Sequence, residues 1–157
     1  MLEEHGYYMD LALAEARKAF AADEVPVGAV LIDWEGGILS AAHNRTIGHH
    51  DPTAHAEIAA IRKAGQKIKN YRFLNATLYV TMEPCVMCMG AIIHSRISHV
   101  VFGAMDLKWG AAGSLYRLQE DRRLNHQPKV TGGVCEDACR QIMQDFFKSK
   151  RQLIVAR

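Results

Sequence analysis

The sequence predicts an α/β fold in which helices cover the faces of one β-sheet. Extended runs alternate with helical runs along the 157 residues, and the first two extended runs are joined by a short turn signal. Because a turn joins antiparallel strands and a helical crossover joins parallel ones, we expect a mixed sheet. No repeat or low-complexity linker interrupts this pattern, so the chain should form a single domain over residues 1–157.

The N-terminal part predicts a helix followed by a β-hairpin. In "MDLALAEARKAF" apolar residues recur at helical spacing, which indicates an amphipathic helix over residues 2–22. "EVPVGAVLID" is typical of a strand, "WEGG" is a turn signal, and "ILSAAHN" resumes the extended pattern. These three segments predict two antiparallel strands.

A second helix is predicted over residues 52–64. Asp51 stands directly before Pro52, which is the arrangement expected of an N-cap and a first helical position. Gly65 then offers a helix stop.

The C-terminal part continues the alternation of strands and helices. "ATLYVTM" is typical of a buried strand, Pro84 opens the helix "PCVMCMGAIIHS", and "ISHVVFGA" is another strand. A short helical piece is predicted near 113–120, a short strand near 128–132 and a final helix from about 135 to 150 or beyond. Ligands of such sheets bind at the carboxyl ends of strands, where helices begin.

The composition excludes a disordered chain and a membrane span. Apolar residues make up 49% and charged residues 23%, as in ordinary globular proteins. No run approaches the roughly eighteen apolar residues that a membrane helix needs, and the N-terminus lacks a secretory signal. We therefore expect a cytoplasmic protein that does not associate with a membrane.

The net charge of +2 conceals an uneven distribution. Residues 1–24 hold six acids and two bases, the stretch 62–72 holds five bases and no acid, and residues 140–157 hold five bases and one acid. A basic surface for nucleic acid would explain the two basic stretches, and solvated helix faces would explain them equally well.

Four cysteines form two pairs with different expected roles. Cys85 and Cys88 lie three apart in the first turn of a predicted helix, so their sulfurs share one face, and the exposed amides of that turn favour thiolates. Alone, this spacing fits a redox pair, half of a structural zinc site or half of a catalytic one. Cys135 and Cys139 could complete a structural site, but their position on the inward stripe of the last helix is typical of buried cysteines.

His55 is the histidine that best completes a catalytic zinc site. Such a site has three protein ligands and one water, and His55 stands at a helix start, as the cysteines do. Glu57, two residues further on, points in a different direction and could move protons between the zinc-activated water and a substrate. "HAE" followed by "PCVMC" matches H-x-E and P-C-x-x-C, the signature of zinc-dependent nucleobase deaminases.

Along nearly its whole length the sequence resembles the bacterial tRNA-specific adenosine deaminases of the TadA type. The resemblance is carried by "EVPVGAVL", "HNRTIGHHDPTAHAEI", "ATLYVTMEPCVMCMGAIIHSRI", "VVFGAMDLKWGAAGSL" and "DFFKSKRQ". It implies a cytidine-deaminase-like three-layer sandwich, a five-stranded mixed sheet between helices, and a homodimer. It also implies hydrolytic deamination of adenosine to inosine at the wobble position of a tRNA anticodon. One zinc ion per chain would be held by His55, Cys85 and Cys88, with Glu57 as proton shuttle.

The same resemblance assigns three substrate-binding residues. Asn44 matches a position whose amide hydrogen-bonds the purine, although from the residues alone it would be a turn residue. Asp106 matches a position that touches the nucleotide backbone beside the target base, although a loop or cap role is equally compatible. Phe147 and the bases after it would lie along the anticodon stem-loop. Trp109 departs from the family pattern, in which a small polar residue is usual, and its ring would stack on a nucleotide or narrow the channel.

Two other functions are compatible with the sequence. A deaminase of the same superfamily that acts on a free base or nucleoside, such as guanine or cytosine, would share the zinc motif. The basic stretch 62–72 and the ending "DFFKSKR" favour RNA over that alternative. A non-catalytic zinc module that binds nucleic acid would need Cys135 and Cys139 as further zinc ligands.

Overall fold

The computed structural model describes residues 2–156, with side chains over residues 4–156. Met1 and Arg157, the two ends of the predicted domain, lie outside the described residues. The helices are α1 Leu2–Ala21, α2 Ala56–Ile68, α3 Val86–His94 and α4 Glu136–Val155, and the strands are β1 Gly28–Ile32, β2 Ile38–His43, β3 Thr77–Met82, β4 His99–Ala104 and β5 Lys129–Thr131. Within residues 2–156, no helix combines the length and the apolar composition needed to cross a membrane.

The five strands form one mixed sheet in the order β2-β1-β3-β4-β5. Strand β1 pairs antiparallel with β2 and with β3, whereas β4 pairs parallel with β3 and with β5. In the first hairpin, Gly28 stands opposite His43 and Val30 opposite Ala41. The predicted hairpin and the predicted mixed sheet are both confirmed.

Helices cover both faces of the sheet. Leu78 and Val100 belong to a buried cluster that includes α2 and α3, whereas their neighbours Tyr79 and Val101 belong to a second cluster that includes α1 and α4. Successive strand residues point to opposite faces, and both faces are apolar because both are covered. The predicted three-layer α/β sandwich is therefore confirmed.

Helix α2 begins four residues later than predicted, at Ala56 instead of residue 52. Asp51 does not cap it, because its Oδ1 accepts hydrogen bonds from the Thr53 N–H at 2.8 Å and the Thr53 hydroxyl at 2.7 Å. These bonds close a local turn ahead of the helix. His55 is consequently the N-cap residue, and Glu57 is the second residue of the helix.

Helix α2 also ends later than predicted, because Gly65 does not stop it. The helix continues to Ile68, and the chain leaves it at Lys69, whose φ of 56° lies in the left-handed region. The Lys69 N–H bonds to the carbonyl of Gly65, so the last turn is closed at this C-cap.

Two lysines of α2 bind the edge strand β2. Lys67 Nζ donates to the carbonyl of Ile38 at 2.9 Å, and Lys63 Nζ donates to the carbonyl of Ala41 at 3.1 Å. An edge strand presents main-chain acceptors that have no partner within the sheet, and ammonium groups satisfy two of them here.

Helix α3 begins at Val86, two residues after the predicted start, so Cys85 is its N-cap. The helical piece predicted near 113–120 is reduced to one 3-10 turn, Leu118–Glu120. A 3-10 turn is the usual form of so short a helical connector.

The cysteines of α4 are structural. Cys139 is fully buried in the cluster below α1 and α4, which confirms the prediction for this residue. Cys135 is half-buried, packs against the same cluster and stands at the N-cap of α4. Burial raises the pKa of both thiols, so neither is held as a thiolate.

Candidate active site and metal centre

Three metal-ligating side chains meet between the heads of α2 and α3. His55 and Cys85 are the N-cap residues of these helices, and Cys88 lies in the first turn of α3. One ligand atom from each of the three lies within 4.8 Å of the others. The distance from His55 Nδ1 is 3.7 Å to Cys85 Sγ and 3.5 Å to Cys88 Sγ.

These separations fit a zinc ion. Zn–N bonds of about 2.0–2.1 Å and Zn–S bonds of about 2.3 Å at a tetrahedral angle place N and S about 3.5 Å apart. Over residues 4–156, the cluster contains no ligand besides His55, Cys85 and Cys88, so Cys135 and Cys139 do not complete it. Three ligands leave a fourth tetrahedral position for water, which is the arrangement of a catalytic site.

Hydrogen bonds among the three ligands shift their pKa values. The hydrogen bond with Cys88, followed by that with His55, lowers the pKa of Cys85 to about 4. The hydrogen bond with Cys85, together with burial, raises the pKa of Cys88. The hydrogen bond with Cys85 also raises the pKa of His55. One thiolate is therefore present before a metal binds, and metal binding must displace the remaining protons.

Glu57 is a buried carboxyl group beside this cluster. Burial raises the pKa of Glu57 to about 7, although its own backbone N–H and the nearby His55 act in the opposite direction. A carboxyl group that titrates near neutrality can accept and return a proton at neutral pH. Glu57 is not one of the three clustered ligands, which leaves it available for proton transfer.

A cavity of about 760 Å³ opens beside these groups, within the usual range for a small-molecule site. All residues that the sequence assigns to the site border this cavity except the buried Cys88. They are Asn44, His55, Glu57, Cys85, Asp106 and Phe147. Most of the remaining lining is apolar and comes from the chain before β1, from β3, from residues 105–109 and from α4. The cavity thus combines an apolar wall with a few convergent polar groups.

Asn44 is buried and serves as a cap for α2. Its Oδ1 accepts a hydrogen bond from the Ala56 N–H at 2.8 Å. The N-cap residue, His55, makes no side-chain capping bond of its own. Because Asn44 supplies the acceptor, the imidazole of His55 can serve as a ligand, and the NH₂ group of Asn44 remains as a donor.

Residues 105–116 are here called the rim loop, and the first five of them, 105–109, border the cavity. Asp106 Oδ1 accepts hydrogen bonds from the N–H groups of Lys108 at 3.0 Å and Trp109 at 3.1 Å. Asp106 therefore has the local capping role that the residues alone suggested, and its contact with a nucleotide stays a prediction. The Trp109 side chain is 70% exposed at the rim of the cavity.

Helix α4 brings Phe147 to the cavity. The adjacent Phe146 is buried and packs edge-on against Phe20 of α1, with ring centroids 5.4 Å apart. Lys150 lies over the Phe146 ring at 5.3 Å and pairs with Asp23. Phe147 is consequently held at the rim, half-exposed, by contacts of its neighbours.

The basic stretch 62–72 has a largely structural role in this fold. Lys63 and Lys67 bind carbonyls of β2, and the guanidinium of Arg72 lies 5.2 Å from the Tyr71 ring centroid. This stretch therefore supports an RNA partner less strongly than its composition indicated.

Two buried glutamates carry no signal in the sequence, namely Glu83, which borders the cavity, and Glu24, which does not. Glu83 accepts four hydrogen bonds from the rim loop. Glu24 accepts bonds from the N–H groups of Ile47 at 3.1 Å and Gly48 at 2.6 Å, in the segment that follows Asn44. Their partners lie more than twenty residues away along the chain, so local patterns could not reveal them.

The fold and the His-Cys-Cys cluster with its adjacent carboxyl group define a zinc-dependent deaminase. Residues 2–104 match the family model described as the cytidine and deoxycytidylate deaminase zinc-binding region, and the chain belongs to this family. A tRNA-specific adenosine deaminase from Haemophilus influenzae is 51% identical to it, over 92% of this chain and 83% of the relative. Within the family, the chain belongs to the tRNA-specific adenosine deaminases, as its sequence predicted.

Solved structures agree with this placement. A structure from a study of A-to-I editing by tRNA:A34 deaminases at the wobble position of transfer RNA is similar, with a TM-score of 0.84 and 44% identity. The similarity covers 87% of this chain and 98% of that one. A guanine deaminase from Bacillus subtilis is similar over 69% of each chain, with a TM-score of 0.61 and 34% identity. The predicted zinc cofactor is confirmed by the family and by the ligand cluster.

Proposed function

We propose that this protein hydrolytically deaminates adenosine at the wobble position of a tRNA anticodon, giving inosine and ammonia. The observation that carries the proposal is the 51% identity with a tRNA-specific adenosine deaminase across 92% of the chain. The ligand cluster, the adjacent carboxyl group and the cavity supply the chemistry that this reaction needs.

His55, Cys85 and Cys88 would hold one zinc ion per chain, and the bound ion would supply a water whose pKa lies near neutrality. Glu57 accepts the proton that the attacking water loses and donates it to a ring nitrogen of the purine. It then takes the remaining proton of the added hydroxyl group and delivers it to the amine, which leaves as ammonia. Its pKa of about 7 suits both directions of transfer.

Asn44 orients the base in the cavity. Its Oδ1 is occupied by the Ala56 N–H, so the amide presents its NH₂ group as donor. A purine edge offers nitrogen acceptors, which match this donor. A base held in this way keeps its amine-bearing carbon at a fixed position relative to Glu57.

The RNA would be held at the cavity rim as an anticodon stem-loop. Phe147 and Trp109 both border the cavity and expose aromatic rings on which splayed bases can stack. Asp106 touches the nucleotide backbone beside the target base, and the bases that follow Phe147 neutralise phosphates. The affinity should therefore fall as the salt concentration rises.

We further propose that residues 1–157 act as one deaminase domain and that two copies of the chain form a homodimer. The homodimer would act in the cytoplasm, where it would meet its tRNA substrate. Large apolar side chains are exposed in and after α2 and at the start of α3, as expected of an interface. They are Ile68, Tyr71, Leu74 and Val86. Sedimentation should give twice the chain mass of 17.5 kDa, and a monomer at all concentrations would contradict the dimer.

The reaction is tested by incubating the zinc-loaded protein with an anticodon stem-loop that carries adenosine at the wobble position, and with total tRNA. We expect ammonia release and sequence reads that change from adenosine to inosine at that position. The matched control is the same stem-loop with guanosine at the wobble position, which should release no ammonia.

A free-base deaminase is the second candidate, supported by the similarity to guanine deaminase. It predicts ammonia release from guanine and an unchanged stem-loop. That pair of results would replace the proposed function, because the zinc site is compatible with both substrates.

A further inference from the structure

We propose that Glu83 is a positioning residue that holds the rim loop in the conformation that binds the RNA substrate. The inference rests on the proposed function. It assigns Glu83 to substrate binding, while proton transfer belongs to Glu57 and metal binding to the His-Cys-Cys cluster.

The carboxylate of Glu83 is almost completely used by the rim loop. Its Oε1 accepts the N–H groups of Ala112 at 3.1 Å and Ser114 at 2.8 Å. Its Oε2 accepts the N–H of Asp106 at 3.0 Å and the hydroxyl of Ser114. With two bonds to each oxygen and only 2% exposure, Glu83 has no lone pair in reserve for a substrate proton.

The backbone of Glu83 is fixed at the end of the β-sheet. It directly follows β3, and its own N–H bonds to the carbonyl of Ala104 at the end of β4 at 2.8 Å. The rim loop also bonds to the turn before α3, because the Ala111 N–H donates to the Pro84 carbonyl at 2.8 Å. The loop is thereby fixed to the end of the sheet from which the cysteine ligands also emerge.

The close fit around this carboxylate requires a glycine at position 110. A Cβ atom on Gly110 would lie 2.4 Å from the Glu83 carboxyl carbon and 2.5 Å from the Asp106 carbonyl oxygen. Both distances are far shorter than a van der Waals contact, so any side chain would move the loop away from Glu83.

The effect of Glu83 reaches the substrate through Asp106. Glu83 fixes the Asp106 N–H, and the Asp106 side chain in turn fixes the N–H groups of Lys108 and Trp109. This chain of bonds ends at a cation and an aromatic ring on the cavity rim. Loosening it would disorder the groups that contact RNA, whereas Glu57, His55 and Cys88 are held by the helices α2 and α3.

The test is single-turnover kinetics of zinc-loaded, full-length Glu83→Gln on the anticodon stem-loop. The amide keeps the size of the side chain but turns one acceptor into a donor that faces the rim-loop donors. We expect the half-saturating enzyme concentration to rise about tenfold, a modest loss for hydrogen bonds to a charged group. The plateau rate should stay within about twofold, and zinc at one ion per chain.

Glu15→Gln is the matched control. Glu15 is also a buried glutamate, but it bonds to Lys18 and His43 and does not border the cavity. Its substitution should leave the half-saturating concentration, the plateau rate and the zinc content unchanged.

Two further variants change rim-loop residues that contact the Glu83 carboxylate. Gly110→Ala should give the phenotype of Glu83→Gln, and the two changes together should be less than additive. Ser114→Ala removes only the hydroxyl bond, so it should fold and raise the half-saturating concentration about threefold, as for one neutral donor.

Three results would overturn the inference. They are loss of zinc from Glu83→Gln, a lower plateau rate with an unchanged half-saturating concentration, and kinetics equal to the wild type. If the wild-type enzyme left the stem-loop unchanged, the proposed function itself would fail. This outcome is distinct from the three results above, because those compare variants with an active wild type.

Discussion

Glu57 and Glu83 are two buried glutamates that border the same cavity, and their surroundings differ. Burial is the largest influence on Glu57 and raises its pKa to about 7. Glu83 instead receives four hydrogen bonds from main-chain and hydroxyl donors of the rim loop. A carboxyl group poised near neutrality can exchange a proton, whereas one saturated with donors fixes a conformation.

The difference teaches that burial alone does not identify a catalytic carboxyl group. The number and kind of donors around the oxygens separate the two roles. The difference between Glu57 and Glu83 also divides the lining of the cavity into a chemical side, formed by the first residues of α2 and α3, and a binding side, formed by the rim loop. Variants on the first side should change the rate of the chemical step, and variants on the second should change affinity.

The largest effect is expected from Glu57→Ala, which should lower the plateau rate by about 10³ to 10⁴, the upper range for loss of general acid–base catalysis. The half-saturating concentration of the stem-loop should hardly change. Metal analysis should still find one zinc ion per chain, because Glu57 is not a ligand. Loss of zinc in this variant would contradict the division of roles.

Glu57→Gln should change stability in a pH-dependent way when zinc is removed. Because the folded pKa of about 7 lies above the ordinary 4.5, the folded chain binds this proton more tightly than the unfolded chain. The unfolding free energy of the wild type should therefore fall as pH rises from about 4.5 to 7, by at most about 3.4 kcal/mol at 1.36 kcal/mol per pKa unit.

Urea denaturation of the metal-free proteins at pH 5 and pH 8 measures this effect. Glu57→Gln should be more stable than the wild type at pH 8, and the gap should narrow at pH 5. A gap that is equal at both pH values would show that burial does not perturb Glu57.

Trp109→Thr should resemble Glu83→Gln, because both act on the binding side. Loss of one stacked base costs about 1–3 kcal/mol, so the half-saturating concentration should rise about tenfold while the plateau rate is kept. Trp34→Thr is the control, since Trp34 is equally exposed at 72% but does not border the cavity. Tighter binding by Trp109→Thr would mean that the ring narrows the channel instead of stacking.

The smallest effect is expected from Cys139→Ala. This thiol is fully buried away from the cavity, so the variant should lose about 1 kcal/mol of unfolding free energy and keep its zinc and its kinetics. Cys88→Ala is the contrasting variant and should lose the metal. Zinc loss from Cys139→Ala would show that Cys139 is a zinc ligand and would contradict the assigned site.

Much of the fold could be predicted because its signals are local. Short runs of β-branched and other apolar residues, the turn signal "WEGG" and the helical runs between the later strands predicted the strands and their pairing. The start of α2 could not be read in this way, since Asp51 before Pro52 looks the same in a helix cap and in a free turn. Only the bonds of Asp51 to Thr53 distinguish the two.

The candidate site was predictable where chemistry demands particular residues at particular spacings. His55, Cys85 and Cys88 are marked by the deaminase signature, and the structure places their ligand atoms together. Glu83 could not be found, because its role depends on a loop more than twenty residues away. Asn44 was assigned to the purine by resemblance alone, and its cap on α2 required the folded chain.

Two lysines in the second half of α2 help to fix the position of the metal ligand that stands at the start of the helix. Lys63 and Lys67 fasten the helix to β2, whereas His55 stands at its head, about 18 Å from the last turn at 1.5 Å per residue. A slip of one residue would displace the imidazole by about 1.5 Å, and a functional ligand tolerates about 0.5 Å. The two lysine bonds therefore act together with the Asn44 cap on the position of the imidazole, and a modification that neutralised these ammonium groups would loosen the helix that carries it.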